Sequence, residues 1–137
     1  MIRFAIDTGP LVAFLNSRDA KHRWARETLD RIAPPLLTCE AVVSEACFLV
    51  RNLKGGPEAV LALVSRSLVT VDFRLDAELD AVRKLVSKYA SVPASLADAC
   101  LVRMTELDSE LSVITLDEDF RIYRRNGRQH ISVVMPE

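Results

Sequence analysis

The chain has 137 residues, half of them apolar and 27% charged, with a formal net charge of -1. That length supports one domain, 1–137, with a real core, and is too short for two comfortable ones. Low Pro and Gly exclude a disordered chain, an aromatic content of 6% argues against an aromatic platform for stacking bases, and the near-neutral charge excludes a uniformly basic nucleic-acid binder.

The first apolar run, IRFAI, reads as a buried strand, and GPLVAFLN opens a helix with Pro10 near its first turn, where a missing N–H costs least. KHRWARETLDRI is an amphipathic second helix. PLLT reads as a short strand feeding the helix CEAVVSEACFLVRN, which stops before Gly55 and Gly56. PEAVLALVSR is a further helix, LVTV a strand, and DAELDAVRKLVSKY and PASLADACLVRMTEL are two more helices, the second started by Pro93. LSVIT and ISVVM supply the last strands. Strands separated by helices require crossover connections, so the expected fold class is α/β, a mostly parallel sheet with helices on both faces. Sites in such sheets form beyond the carboxyl ends of the strands.

Three cysteines, Cys39, Cys47 and Cys100, are odd in number, widely spaced and free of any C-x-x-C pair. They indicate a reducing compartment, with neither a disulfide frame nor a zinc site. The opening MIRFAID lacks the apolar core of a signal peptide, and no apolar stretch approaches the roughly 18 residues of a membrane span, so a cytoplasmic protein is expected.

TLDEDF places three acids directly behind the apolar run LSVI. Asp117 thus lies just past one strand, and Asp7 follows IRFAI at the same rim; a helix cap is the plain alternative for either. Glu45 has Val42 and Leu49 at i-3 and i+4, and Asp98 has Leu101 and Val102 at i+3 and i+4, so both are expected on apolar helix faces. A buried carboxylate needs a partner, which is either an Arg in a core ion pair or a metal. Four acids from four distant segments together describe an acidic pocket whose mutual repulsion a divalent cation would relieve. Oxygen-only ligands select Mg2+ or Mn2+ over zinc, and such an ion suits phosphodiester hydrolysis by activated water.

At these residues the sequence resembles the PIN domain, the nuclease module of VapC-like toxins. IDTGPLVAFLN is similar to the family's opening strand and first acid, VVSEACFLV to its helix with a Glu, SLADACLV to its central Asp, and TLDEDF to its closing T-x-D-x-D-F signature. The resemblance implies a three-layer α/β/α fold with a parallel sheet of about five strands, and an Mg2+- or Mn2+-dependent endoribonuclease using one or two ions. It also implies an RNA substrate, an antitoxin protein as partner, and a homodimer. Carried over, Asp7, Asp98 and Asp117 are the metal ligands, and Glu45 completes the catalytic quartet by holding a water or a second ion. Thr8, Thr115 and Asp119 are supporting residues; Gly9 stands where many relatives carry Ser. The basic run RIYRRNGR supplies Arg121, Arg124, Arg125 and Arg128 as candidate RNA contacts, with a plain solvated face as the alternative.

Rival readings fit less well. A two-histidine ribonuclease needs His22 and His130 to meet, and nothing in the pattern brings them together. A phosphorelay receiver needs an acid pair after the first strand and a Lys at a late strand end, whereas Asp7 has no acidic neighbour and Lys21, Lys54, Lys84 and Lys88 lie elsewhere. A catalytically silent PIN-like module that grips a protein partner is the remaining alternative, with an apolar groove near Trp24 as its docking face.

Overall fold

In the computed structural model, which describes residues 2–137, the first apolar run forms β1 (Arg3–Ile6) and the chain turns at Asp7 into α1 (Thr8–Leu15). There follow α2 (His22–Asp30), β2 (Leu36–Thr38), α3 (Glu40–Leu49), α4 (Gly56–Ser65), β3 (Val69–Val71), α5 (Leu79–Lys88), α6 (Leu96–Leu107) and β4 (Leu111–Ile114). A short 3-10 turn (Glu118–Arg121), two two-residue strands β5 (Arg124–Arg125) and β6 (Gln129–His130), and β7 (Val133–Val134) complete the chain.

Five strands form one sheet in the order β3-β2-β1-β4-β7, every pair parallel. This bears out the expected α/β class and the sheet of about five strands. β1 and β4 are central, in register from Arg3↔Leu111 to Ile6↔Ile114. All four residues of β4 are buried, which is why LSVI reads as an uninterrupted apolar run. The core is drawn from both sides of the sheet: Ile6, Val113 and Ile114 from the strands, Leu11 from α1, Val42, Ala46 and Val50 from α3, and Leu101 and Val102 from α6. Outside it, the Arg3 guanidinium grips Asp108 with two hydrogen bonds, closing the start of β1 against the α6–β4 turn.

Three boundaries differ from expectation. α6 starts at Leu96 and not at Pro93, because Ser95 caps it: the Ser95 hydroxyl accepts from Asp98 N–H (3.0 Å) and Ser95 N–H donates to Asp98 Oδ2 (3.1 Å). That reciprocal box is a stronger start signal than a proline two residues earlier. α5 begins at Leu79, since Asp76 accepts from Ala77 N–H and pairs with Arg74, holding a turn in place of a first helical turn. The basic run is a small antiparallel hairpin, with Arg124 opposite His130, turned by Asn126 and Gly127 at φ 50° and 83°. Asn-Gly is the dipeptide that tolerates this left-handed backbone.

Candidate active site

Asp7 leaves the end of β1 and caps α1: its Oδ1 accepts from Thr8 N–H at 2.7 Å. Because β1 and β4 run parallel and in register, the residues just past them also meet. Asp7 N–H donates to the Ile114 carbonyl (3.0 Å), and the Thr115 hydroxyl donates to Asp7 Oδ2 at 2.7 Å. The same hydroxyl accepts from Asp117 N–H (3.0 Å), and Asp117 Oδ1 in turn accepts from Asp119 N–H (2.9 Å), starting the 3-10 turn. Thr115 thereby links the acid of the first segment to those of the last.

From the far side α6 presents Asp98 at the third position of its first turn, half-buried. Its Oδ2 takes two hydrogen bonds, from Ser95 N–H and from the Tyr123 hydroxyl, both 3.1 Å. No sequence motif singled out Tyr123. Its ring is fully buried, edge-on to Tyr89 (4.9 Å between centroids) and to Phe120 (5.1 Å).

The charges of these acids act on one another. Burial pushes the Asp7 carboxyl up to about 6; the Asp98 and Asp117 carboxylates add to the rise, while the bonds from Thr115 and Thr8 oppose it. Asp119 is raised by desolvation and then by Asp117 and Asp98. Burial, and next the Asp98 carboxylate, push the Tyr123 hydroxyl well above its ordinary range. Among the described residues none of Asp7, Asp98, Asp117 and Asp119 pairs with a Lys, Arg or His. Among the described residues, then, no core ion pair accounts for the buried Asp7 or the half-buried Asp98.

The side chains do not form a closed cage. Among the described residues no three His, Cys, Asp or Glu side chains are gathered closely enough to hold a metal ion. Asp98 and Asp117 each turn one oxygen to a local cap. The donor chemistry nevertheless fits a hard divalent ion: carboxylate oxygens only, no compensating cation, and next to Asp7 the Thr8 hydroxyl, 3% exposed and without a hydrogen-bond partner among the described residues.

A PIN domain family model matches residues 4–126. The chain belongs to the PIN domain family. Ribonuclease VapC26 of Mycobacterium tuberculosis is 28% identical to it over 135 residues, covering 96% of this chain and 91% of the relative. The PIN fold seen here is also similar to the crystal structure of Mycobacterium tuberculosis VapC20, a sarcin-ricin loop cleaving toxin. The TM-score is 0.70 at 20% identity, over 85% of this chain and 91% of that one, a likeness of fold.

The spacing of Val42 and Leu49 puts Glu45 on the apolar face of α3, and the structure corrects this. Glu45 is exposed and not on the core face of α3. The buried stripe runs Val42, Ala46, Val50, and Glu45 and Leu49 each lie one residue, about 100°, off it; Leu49 is itself 51% exposed. Glu45 lines a shallow surface cleft with Ser44, Phe48, Ser95 and Leu96, beside the first turn of α6. A larger open groove of about 990 Å³ lies alongside, lined by Cys39, Glu40, Leu96 and Cys100 among others, and it does not include Asp7, Asp98 or Asp117.

The four arginines divide. Arg124 Nη1 donates to the carbonyls of Arg121, Ile122 and Tyr123, just before it in the chain, and Arg125 Nε to that of Thr105 (2.9 Å), so Arg124 braces the entry to the hairpin and Arg125 fastens it to α6. Arg121 pairs with Glu118 on the surface at 2.8 Å, and Arg128 is exposed. His22 Nδ1 lies 2.7 Å from the Ala13 carbonyl, tying α2 to α1, while His130 is exposed on β6. Trp24 is half-buried and packs against the core. Among the described residues no helix is long and apolar enough to cross a membrane.

Proposed function

We propose that this PIN domain is a metal-dependent endoribonuclease, the toxin of a toxin–antitoxin pair, which hydrolyses RNA phosphodiester bonds in the cytoplasm. The observation that carries this reading is a buried carboxylate, Asp7, held at both oxygens by Thr8 N–H and Thr115, pushed up to about 6 by burial with Asp98 and Asp117 adding to the rise, and without a basic partner among the described residues. An uncompensated site of this kind is costly unless a cation completes it. The name of the relative VapC26, a ribonuclease, supports the choice of substrate.

Asp7, Asp98 and Asp117 would hold one or two Mg2+ or Mn2+ ions. When bound, such an ion supplies Lewis acidity, lowering the pKa of water and neutralising charge that develops on a phosphoryl oxygen. The residues of the chain do the rest. Thr115 and Thr8 N–H fix both oxygens of Asp7, so its lone pairs point in defined directions before substrate arrives. Thr115 also sets the backbone of Asp117, whose carboxylate accepts from Asp119 N–H and so caps the turn that follows. The Thr8 hydroxyl, buried beside Asp7 and without a hydrogen-bond partner among the described residues, is a donor left for a buried water. Glu45, exposed on the cleft that also holds Ser95, Leu96 and Ala97, would orient a water or a second ion. Cleavage would leave a 5'-phosphate and a 3'-hydroxyl. Arg121 and Arg128, the exposed pair of the four, would meet the RNA backbone. An antitoxin protein and a homodimer belong to the same proposal, and the exposed apolar Phe48, Leu49 and Leu61 are surface that such assembly would cover.

Purified protein should cut a mixed set of structured RNAs with Mn2+ or Mg2+. Cutting should stop on adding EDTA and in Asp98→Asn, whose circular dichroism should match wild type. Intact RNA under both metals, with the fold verified, would leave the silent binding module as the reading.

A further inference from the structure

The geometry points to Tyr123 as the positioning residue that orients the Asp98 carboxylate for a divalent cation, an inference that rests on the metal reading above. Asp7 is held at both oxygens, but Asp98 is half-buried, and the capping box that holds it is local to its own helix. The Tyr123 hydroxyl is the contact that ties this carboxylate to another part of the fold. Both Tyr123 and Ser95 N–H address Oδ2, so Oδ1 is left without a protein donor among the described residues and is the oxygen available to an ion.

The tyrosine is itself immobilised. Its ring is 0% exposed and wedged between Tyr89 and Phe120 at interplanar angles of 66° and 88°. Its N–H donates to the Asp119 carbonyl at 3.0 Å, and the next residue's N–H, on Arg124, donates to the Tyr89 hydroxyl at 2.8 Å. One residue therefore brackets two parts of the site: its backbone holds the closing acidic turn, and its hydroxyl holds the acid of α6. With the hydroxyl gone, Asp98 keeps a single bond at its carboxylate and can rotate, so cation binding must newly restrain it.

The test is Tyr123→Phe, which keeps the aromatic packing and removes the hydroxyl alone. Mn2+ titration calorimetry on the full chain, stripped of metal, should show affinity weakened about tenfold, in line with the loss of an outer partner of a metal ligand. Ser95→Ala serves as the control for helix stability: it removes the hydroxyl that caps Asp98 N–H but leaves the bond to the carboxylate. It should lower Tm while leaving Mn2+ affinity within about twofold, since the donors to Oδ2 persist. Equal Mn2+ affinity in Tyr123→Phe and wild type, whatever happens to Tm, reduces Tyr123 to a packing residue and overturns the inference alone. No Mn2+ binding by wild type overturns the metal reading and this inference with it.

Discussion

Replacing Asp7 by Asn separates what the site costs from what it does. The carboxyl is 7% exposed, and burial, reinforced by Asp98 and Asp117, lifts it from 3.8 to about 6. A carboxyl raised in the folded state holds its proton more tightly there than in the unfolded chain. Its contribution to stability is therefore complete below about pH 4 and is lost as pH rises through about 6. The gap from 3.8 to about 6 corresponds to a cost of about 3 kcal/mol at pH 8 in metal-free protein. Asn removes the charge and caps a helix as well as Asp does. Its Oδ1 can accept from Thr8 N–H while its amide faces the Thr115 hydroxyl, which must then turn its own proton away. Allowing about 1 kcal/mol for that weakened contact, metal-free Asp7→Asn should exceed wild type by about 2 kcal/mol at pH 8. The margin should shrink through pH 6 and vanish or reverse near pH 4. Urea unfolding in EDTA at those three pH values measures it, and RNA cleavage should be lost throughout. A variant no more stable than wild type at pH 8, or a difference that ignores pH, would refute the claim that burial and like charge load this site.

Other expectations follow from the same geometry. Saturating wild type with Mn2+ at about 100 times its Kd should add about 2.7 kcal/mol, roughly 9 °C in Tm for 137 residues; Asp98→Asn should gain less than half of that, and equal gains would place the ion elsewhere. Glu45→Gln, at an exposed position, should stay within about 0.5 kcal/mol of wild type in denaturant while cleavage falls at least about tenfold; unchanged cleavage would remove Glu45 from the active set. Arg124→Ala should lower stability by about 1 kcal/mol or more through the lost carbonyl contacts. Arg128→Ala should leave stability alone and reduce the salt slope of RNA binding by about one; the opposite pattern would reverse these assignments.

What could be read from the chain follows from where each constraint lives. RFAI and LSVI announce themselves because central parallel strands are covered on both faces, and Asp7 and Asp117 are found by counting one to three residues past them. Glu45 was misplaced because i-3 and i+4 neighbours define a stripe only to within a residue, and α3 buries the adjacent line through Ala46. The Asn-Gly dipeptide did carry a hairpin signal, hidden inside a run read for its charge. Tyr123 had no such signal. Its contact with Asp98 spans 25 residues and depends on how α6 packs beside the closing turn, which no local pattern encodes. The separation of the carboxylates was equally invisible, because capping and ligation draw on the same residue types and only coordinates tell which bond each oxygen makes.

The most direct measurement is anomalous diffraction from crystals of the protein grown or soaked with Mn2+. A manganese peak about 2.1 Å from carboxylate oxygens of Asp7 and Asp98, with Asp117 directly or through water beside it, is the expected result. A well-ordered site in which those carboxylates keep their present bonds at millimolar Mn2+, with no peak between them, would contradict the account.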